Sequence, residues 1–416
     1  MHLANFTAQN LGPVKHADLP FVRGFNALVG VNGAGKSTLL NAIALMLGRY
    51  SSVIRTDRVS TTTFNREQIN RDATFVQVTA TISDTRRTPD PIEWSLGVRR
   101  AGRETKTRLT NSSPLIAYGG AIAREIAVDP YLANLPIAVY YPAQRAILDI
   151  PVRVRGSVPF EQLGALEGSL TQTSRSFREF FSWFREREDL ENEKRLDGAV
   201  ERDRELTAVR RAVAGMLPGF DNLRVKRSPL RMLINKGGLE LQVDRLSDGE
   251  KSTLALAGDL ARRLATANPG RENALEGDAV VLIDELELHL HPAWQREAVK
   301  RLSKTFPNCQ FIVSTHSPQV LSEVDAKGIF LLRSGEILRT DQSKGRSSNL
   351  ILEELMGVPA RPDWAGEELD LLYDAIDDEE FEIARELLAK LEKKLGEDEP
   401  GLTSARTVLL SHSPDA

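Results

Sequence analysis

Gly30-Val31-Asn32-Gly33-Ala34-Gly35-Lys36-Ser37 meets every fixed position of the phosphate-loop pattern G-x-x-x-x-G-K-[ST], and its surroundings decide the fold. Phe25-Asn26-Ala27-Leu28-Val29 reads as a strand running directly into it. Behind it, Leu39, Leu40, Ile43 and Leu47 recur at helical spacing, so a helix is expected from about Lys36 to Leu47, with Gly48 placed to end it. Strand, glycine loop and helix in this order turn successive backbone N–H groups inward and direct the positive end of the helix at an anion. Asn32, Gly33, Ala34, Gly35, Lys36, Ser37 and Thr38 are therefore the expected nucleotide-binding residues. Lys36 is placed to reach the β- and γ-phosphates of ATP, and Ser37 to bind Mg²⁺.

A second motif lies 284 − 36 = 248 residues beyond Lys36. Ala279-Val280-Val281-Leu282-Ile283-Asp284-Glu285 is a continuous apolar strand ending in two carboxylates, the Walker B arrangement. Asp284, at the strand tip, is expected to hold Mg²⁺ through water, and Glu285 to orient and deprotonate the water that attacks the γ-phosphate. Residues 310–313 form another buried strand, followed by Ser314-Thr315-His316-Ser317-Pro318. Leu246-Ser247-Asp248-Gly249-Glu250-Lys251-Ser252 opens a helix expected over about 249–264, where Ser247 or Asp248 can act as a cap and the N–H groups around Gly249 can hold an anion. His289-Leu290-His291 could pair on a metal, but no cysteine or acidic ligand groups with it.

Between the motifs, TFVQVTATI and IEWSLGV alternate with period two and imply antiparallel strands, and residues 137–141 form an apolar strand ending at Pro142. Gln144, just past that strand, is the candidate Mg²⁺-sensing glutamine; Gln77 reads as a mid-strand residue. Residues 174–217 are helical in pattern and highly charged, with ten basic and ten acidic side chains from Arg175 to Arg211, read as solvated faces carrying spaced ion pairs. Strands resume over 223–243, 340–349 is the best linker, and helices including one over 378–395 complete the chain. The expected fold class is α/β: a P-loop core with a mixed central sheet, an antiparallel β lobe, a short helical insertion and a C-terminal helical tail. The expected segments are 1–150, 151–222, 223–340 and 341–416.

Charge is unevenly spread along the 416 residues. Residues 351–400 hold 17 acidic and 5 basic side chains, a local 5 − 17 = −12, against a whole-chain charge of −4. The acidic tail can dock a basic partner or simply be solvated. Two basic groups, Arg99, Arg100, Arg103, Lys106, Arg108 and Arg224, Lys226, Arg227, Arg231, are the candidate DNA contacts, although few aromatics interleave them. A single cysteine, Cys309, excludes an internal disulfide and fits a reducing compartment, so the cytoplasm is expected. No stretch reaches the roughly 18 apolar residues of a membrane span, and the N-terminus has no signal-peptide pattern.

The order P-loop, LSDGEKS, Walker B and STHSP resembles the ATP-binding-cassette superfamily. The resemblance implies that Ser247, Gly249 and Glu250 cap the γ-phosphate bound by an opposite subunit, that the loop at His289 to Pro292 crosses the dimer interface, and that His316 is the switch residue beside the γ-phosphate. Glu285, His316 and Lys36 are then the catalytic set, with Ser37, Asp284 and Gln144 around the metal. Asp248 departs from the glycine common at its position. The late Walker B and early P-loop resemble the SMC/RecF-like branch, while the insertion is too short for long coiled-coil arms. LSDGEKS, DELELHLHP, STHSPQVL and the tail over 389–400 together resemble the ATPase subunits of Septu and retron-associated anti-phage systems. That resemblance implies ATP and Mg²⁺ as ligands, a homodimer or larger even-numbered assembly, and an HNH nuclease partner. A reverse transcriptase with its RNA–DNA hybrid is a further implied partner. The competing expectations are a RecF-like repair ATPase, a scaffold that binds ATP with little turnover, and a transporter motor, against which the long insertion speaks.

Overall fold

A computed structural model of the protein describes residues 1–100, 109–143, 161–171, 176–198 and 201–412. The chain forms two compact units, Met1–Ser348 and Asn349–Ala416. In chain order the strands of the first are β1 (His2–Leu11), β2 (Val14–Pro20), β3 (Phe25–Gly30), β4 (Phe75–Ser83), β5 (Ile92–Arg99), β6 (Ile137–Tyr141), β7 (Phe220–Arg227), β8 (Leu230–Lys236), β9 (Leu239–Gln242), β10 (Ala279–Ile283), β11 (Cys309–Thr315), β12 (Ile329–Arg333) and β13 (Glu336–Leu338). Its helices include α1 (Lys36–Thr56), α2 (Ser113–Val128), α3 (Ser176–Leu196), α4 (Arg204–Met216), α5 (Asp248–Ala267), α6 (Pro292–Thr305) and the short α7 (Pro318–Leu321).

The central sheet has the order β13-β12-β3-β11-β10-β6. Five strands run parallel and β13 returns antiparallel to β12. Every residue of β6, β10 and β11 is buried, as continuously apolar parallel strands covered on both faces should be. The expected segments 1–150 and 223–340 both contribute strands, because β3 and β6 flank β11 and β10. Thus the carboxyl ends of β3, β10, β11 and β6 meet at one edge, the place where open parallel sheets bind ligands.

Beside it lie an antiparallel sheet, β2-β1-β4-β5, and a three-stranded sheet, β7-β8-β9. Alternation is realised in β4, where Val76, Val78, Ala80 and Ile82 are buried and the residues between them are half-exposed. The mixed sheet with helices and the antiparallel lobe are thus those expected from the sequence.

Gly48 does not end α1, which continues to Thr56. Tyr50, Val53 and Ile54 bury the same stripe beyond the glycine, and packing overrides its weak helix preference. The helix ends instead at Asp57, which turns left-handed at φ 55° and donates its N–H to the Val53 carbonyl at 2.8 Å. In α3 the aromatic residues Phe180, Phe181, Trp183 and Phe184 are fully buried. A Cβ on Gly258 of α5 would lie 2.6 Å from the Phe180 ring, so this glycine allows the close contact. The charges on α3 are not all solvated: Glu188 and Glu191 are buried and paired with Arg210, and Glu188 also with Arg227.

The second unit contains helices Asp363–Asp377, Phe381–Leu395 and Pro400–Ser411 around a core that includes Leu372, Ala384, Leu391, Leu402 and Ala405. The helix expected over 378–395 begins only at Phe381, because Glu379 adopts φ 60° within the acidic run that precedes it. Among the described residues no helix is long and apolar enough to cross a membrane.

Candidate nucleotide-binding site

The loop after β3 is shaped by its glycines. Gly33 and Gly35 take φ 80° and 107°, and Gly35 is the N-cap of α1. A Cβ on Gly30 would lie 2.7 Å from the Leu332 carbonyl oxygen on β12, so the strand end also requires glycine. Val31, Asn32 and Gly33 are exposed, and the first-turn N–H groups of α1 have no acceptor within their helix. The tip therefore presents donors and the positive helix end to one side.

Lys36 is buried and folds back, donating its ammonium to the Gly30 carbonyl at 2.8 Å and the Val31 carbonyl at 3.2 Å. An ammonium has three donors, so one is left for an anion at the loop. Burial lowers the Lys36 pKa, and the charges of Asp284, Glu287 and Glu285 oppose that shift. These carboxylates and the lysine thus share one electrostatic site.

Ser37 donates its hydroxyl to Asp284 Oδ1 at 3.1 Å, joining the helix start to the tip of β10. Adjacent hydroxyl and carboxylate oxygens are the donor pair a hard cation takes, so Ser37 and Asp284 fit Mg²⁺. Glu285 is held at φ 50°, an uncommon conformation for a non-glycine residue, with its N–H on Ser314 Oγ at 2.8 Å. The Ser314 hydroxyl also contacts Asp284 Oδ1. Ser314, fully buried on β11, therefore fixes both acidic residues at once. Reading the motifs one by one missed it, although it stands two positions before His316.

His316 follows β11 and is half-buried, with its N–H on Glu287 Oε1. Burial depresses the His316 pKa, the Lys36 charge adds to this, and Glu287, Glu285 and Asp284 pull the other way. Glu287 is a further site residue that the sequence reading passed over. Its Oε2 is buried without a hydrogen-bond partner among the described residues, an unmet acceptor at the site.

Ser247, Gly249 and Glu250 stand at the start of α5, Ser247 exposed and the other two buried. Ser247 and Glu250 form a capping box at the start of α5, with Ser247 N–H to Glu250 Oε2 at 2.9 Å and Glu250 N–H to Ser247 Oγ at 3.4 Å. Lys236 donates to Glu250 Oε1 at 2.6 Å. These groups bond one another rather than the phosphate loop. A Cβ on Gly249 would lie 2.5 Å from the His289 carbonyl oxygen, so the start of α5 rests directly against the loop after Walker B. His291 caps α6, its Nδ1 accepting from Ala293 N–H at 3.3 Å. Among the described residues no group of three or more His, Cys, Asp or Glu side chains is placed to hold a metal.

Gln144 lies outside the described residues, as do Arg103, Lys106 and Arg108. Gln77 is within β4. Of the remaining basic candidates, Arg100 donates to the carbonyls of Ile69, Asn70 and Arg71, while Arg224 pairs with Glu240 and Arg227 with Glu188 and Asp189. Lys226 and Arg231 are exposed.

Residues 25–322, more than half of the chain, match the family described as "AAA domain, putative AbiEii toxin, Type IV TA system". The chain belongs to this family. It is 30% identical to the "Retron Ec83 probable ATPase" of Escherichia coli, across 94% of this chain and 82% of that protein. It is 26% identical to the "Septu protein PtuA" of Bacillus thuringiensis, across 77% of this chain and 74% of that one. Among solved structures, the SmcHead bound to the C-winged helix domain of ScpA is similar over 82% of this chain and 98% of its own, at 18% identity and a TM-score of 0.48. This AAA-family chain is thus related to proteins of retron and Septu defence systems.

Proposed function

We propose that the protein binds and hydrolyses ATP at a site completed by a second copy of itself, and that this cycle controls a nuclease partner in anti-phage defence. The observation that carries the reading is the convergence of Lys36, Ser37, Asp284, Glu285 and His316 at the carboxyl ends of adjacent strands, with the Ser247–Glu250 cap of α5 resting against the loop after Walker B. A helix start presents N–H donors and its positive end, and is suited to cover a phosphate bound by another copy.

The first-turn N–H groups of α1 and the Lys36 ammonium would bind the phosphates, and Ser37 and Asp284 would hold Mg²⁺, directly or through water. When bound, that cation neutralises phosphate charge. Glu285, at a fixed backbone position one residue beyond Asp284, would orient a water and take its proton. His316, whose pKa burial and the Lys36 charge hold below the ordinary histidine value, would hydrogen-bond the γ-phosphate or that water. Gln144 is proposed as a further metal-sensing group, and the loop from His289 to Pro292 as the crossing between copies. The acidic segment 341–416 is the proposed dock for the nuclease, and the reducing cytoplasm the proposed compartment. DNA and a reverse transcriptase with its RNA–DNA hybrid remain partner proposals of the same reading.

Phosphate release by purified wild-type protein and Glu285→Gln tests the chemistry. Turnover should fall at least 100-fold in the variant while ATP affinity is retained. Equal turnover would remove Glu285 from the role of base. Co-expression with a neighbouring HNH nuclease gene should yield a complex; a membrane permease as the bound partner would instead point to a transporter motor.

A further inference from the structure

Tyr141 ends β6 and is buried, and its two ends hold different parts of the molecule. Its carbonyl accepts the Asp284 N–H at 2.9 Å, prolonging a ladder in which Tyr141 already stands opposite Ile283. Its phenol donates to Asp259 Oδ2 at 3.0 Å. Asp259 lies on α5, 259 − 248 = 11 residues from the first residue of that helix, or roughly three turns below Ser247.

The carboxylate is tightly held. Arg262 donates to Asp259 Oδ1 at 2.7 Å and Arg263 to Oδ2 at 2.8 Å. Arg263 also donates to the carbonyls of Ala165 and Glu167 at 2.9 and 2.8 Å. Asp259 and Arg263 are each 1% exposed and Tyr141 4%. Burial disfavours charge on Asp259, yet Arg263 and Arg262 hold its carboxyl below the ordinary range. Burial pushes the Tyr141 phenol well above its usual value, so it stays a donor. Apolar residues would pack this interior at least as stably as buried ions. The ions lie within α5, and the Tyr141 phenol bonded to Asp259 joins them to β6.

We propose that Tyr141 is a positioning residue that ties Asp284, at this chain's nucleotide site, to α5, whose start covers the nucleotide of a second copy. Docking of Ser247 on a partner copy is then felt at Asp284 of the same chain through Tyr141, whose phenol holds α5 and whose carbonyl holds Asp284, which makes the two sites of a dimer cooperative. The inference rests on the two-copy reading above and adds the residue that couples the sites.

Tyr141→Phe deletes only the phenolic oxygen, leaves Asp259 with both arginines, and preserves the ring. Binding of a fluorescent ATP analogue, ATP-dependent dimerisation and phosphate release should be measured for wild type, Tyr141→Phe, Ser247→Ala and the double variant. The expected result for Tyr141→Phe is an analogue dissociation constant within twofold of wild type, with kcat about tenfold lower and the Hill coefficient for ATP near one. In the Ser247→Ala background the tyrosine change should have no further effect, because the helix start through which it acts is already disabled. Unchanged kcat and cooperativity, effects that multiply in the double variant, or a loss confined to analogue affinity would each overturn the coupling. If wild type itself forms no ATP-dependent dimer, the two-copy reading fails first; if wild type dimerises and Tyr141→Phe behaves identically, the coupling alone fails.

Discussion

At the residue scale, the site depends on side chains that hold the reactive ones. Ser314→Ala removes a donor from buried Asp284 and the acceptor of the Glu285 N–H. Loss of such a charge-linked contact is worth about 1.5–3 kcal/mol, or roughly 10- to 150-fold in rate. Turnover should fall by that factor with ATP affinity little altered, as steady-state kinetics alongside equilibrium binding would reveal. Unchanged turnover would mean that Glu285 is positioned by other contacts. His316 gives a pH prediction. Its folded pKa lies below the ordinary 6.5, so near and below that value the unfolded chain holds more protons, and its contribution to stability is present above pH 6.5 and lost on acidification. The melting temperature of wild type should therefore fall more steeply below pH 6.5 than that of His316→Gln. Parallel pH profiles would show that the imidazole carries no such linkage.

At the element scale, the helices separate what is legible in a sequence from what is not. The run from Ala279 to Asp284 and the apolar run at Ile137 to Tyr141 announce parallel strands, since continuous burial leaves no alternation to misread. The phosphate loop announces itself because glycines, lysine and serine are contiguous. Gly48 misleads, because the packing of Tyr50, Val53 and Ile54 decides the end of α1 from outside the local pattern. Ser314, Glu287 and the Tyr141–Asp259 pair are hidden for a related reason: each acts across strands or helices, and Tyr141 and Asp259 stand 118 positions apart. No local period records such a contact. The correction at Gly48 is itself testable. Nothing lies within 4 Å of the position its Cβ would take, and its φ is not left-handed. Gly48→Ala should stabilise the protein by about 0.5–1 kcal/mol, measurable by denaturant unfolding. A loss of stability would show that the glycine is needed for a close approach or a bend.

For the whole molecule, the parallel sheet gathers Lys36, Ser37, Asp284, Glu285 and His316 from distant stretches of chain onto one edge. At the start of α5, Ser247 bonds Glu250 within the cap and Gly249 packs against the His289 carbonyl. Under the proposed function, a second copy completes this site and ATP is the ligand that joins the two. The chain is related to retron and Septu proteins, and control of a partner is the purpose proposed above for such a joint. The most direct test is the molar mass of Glu285→Gln by light scattering with Mg²⁺, with and without saturating ATP. The expected result is a shift with ATP to a dimer or larger even-numbered assembly that persists because turnover is blocked. A variant that binds ATP and remains a monomer would contradict the two-copy site.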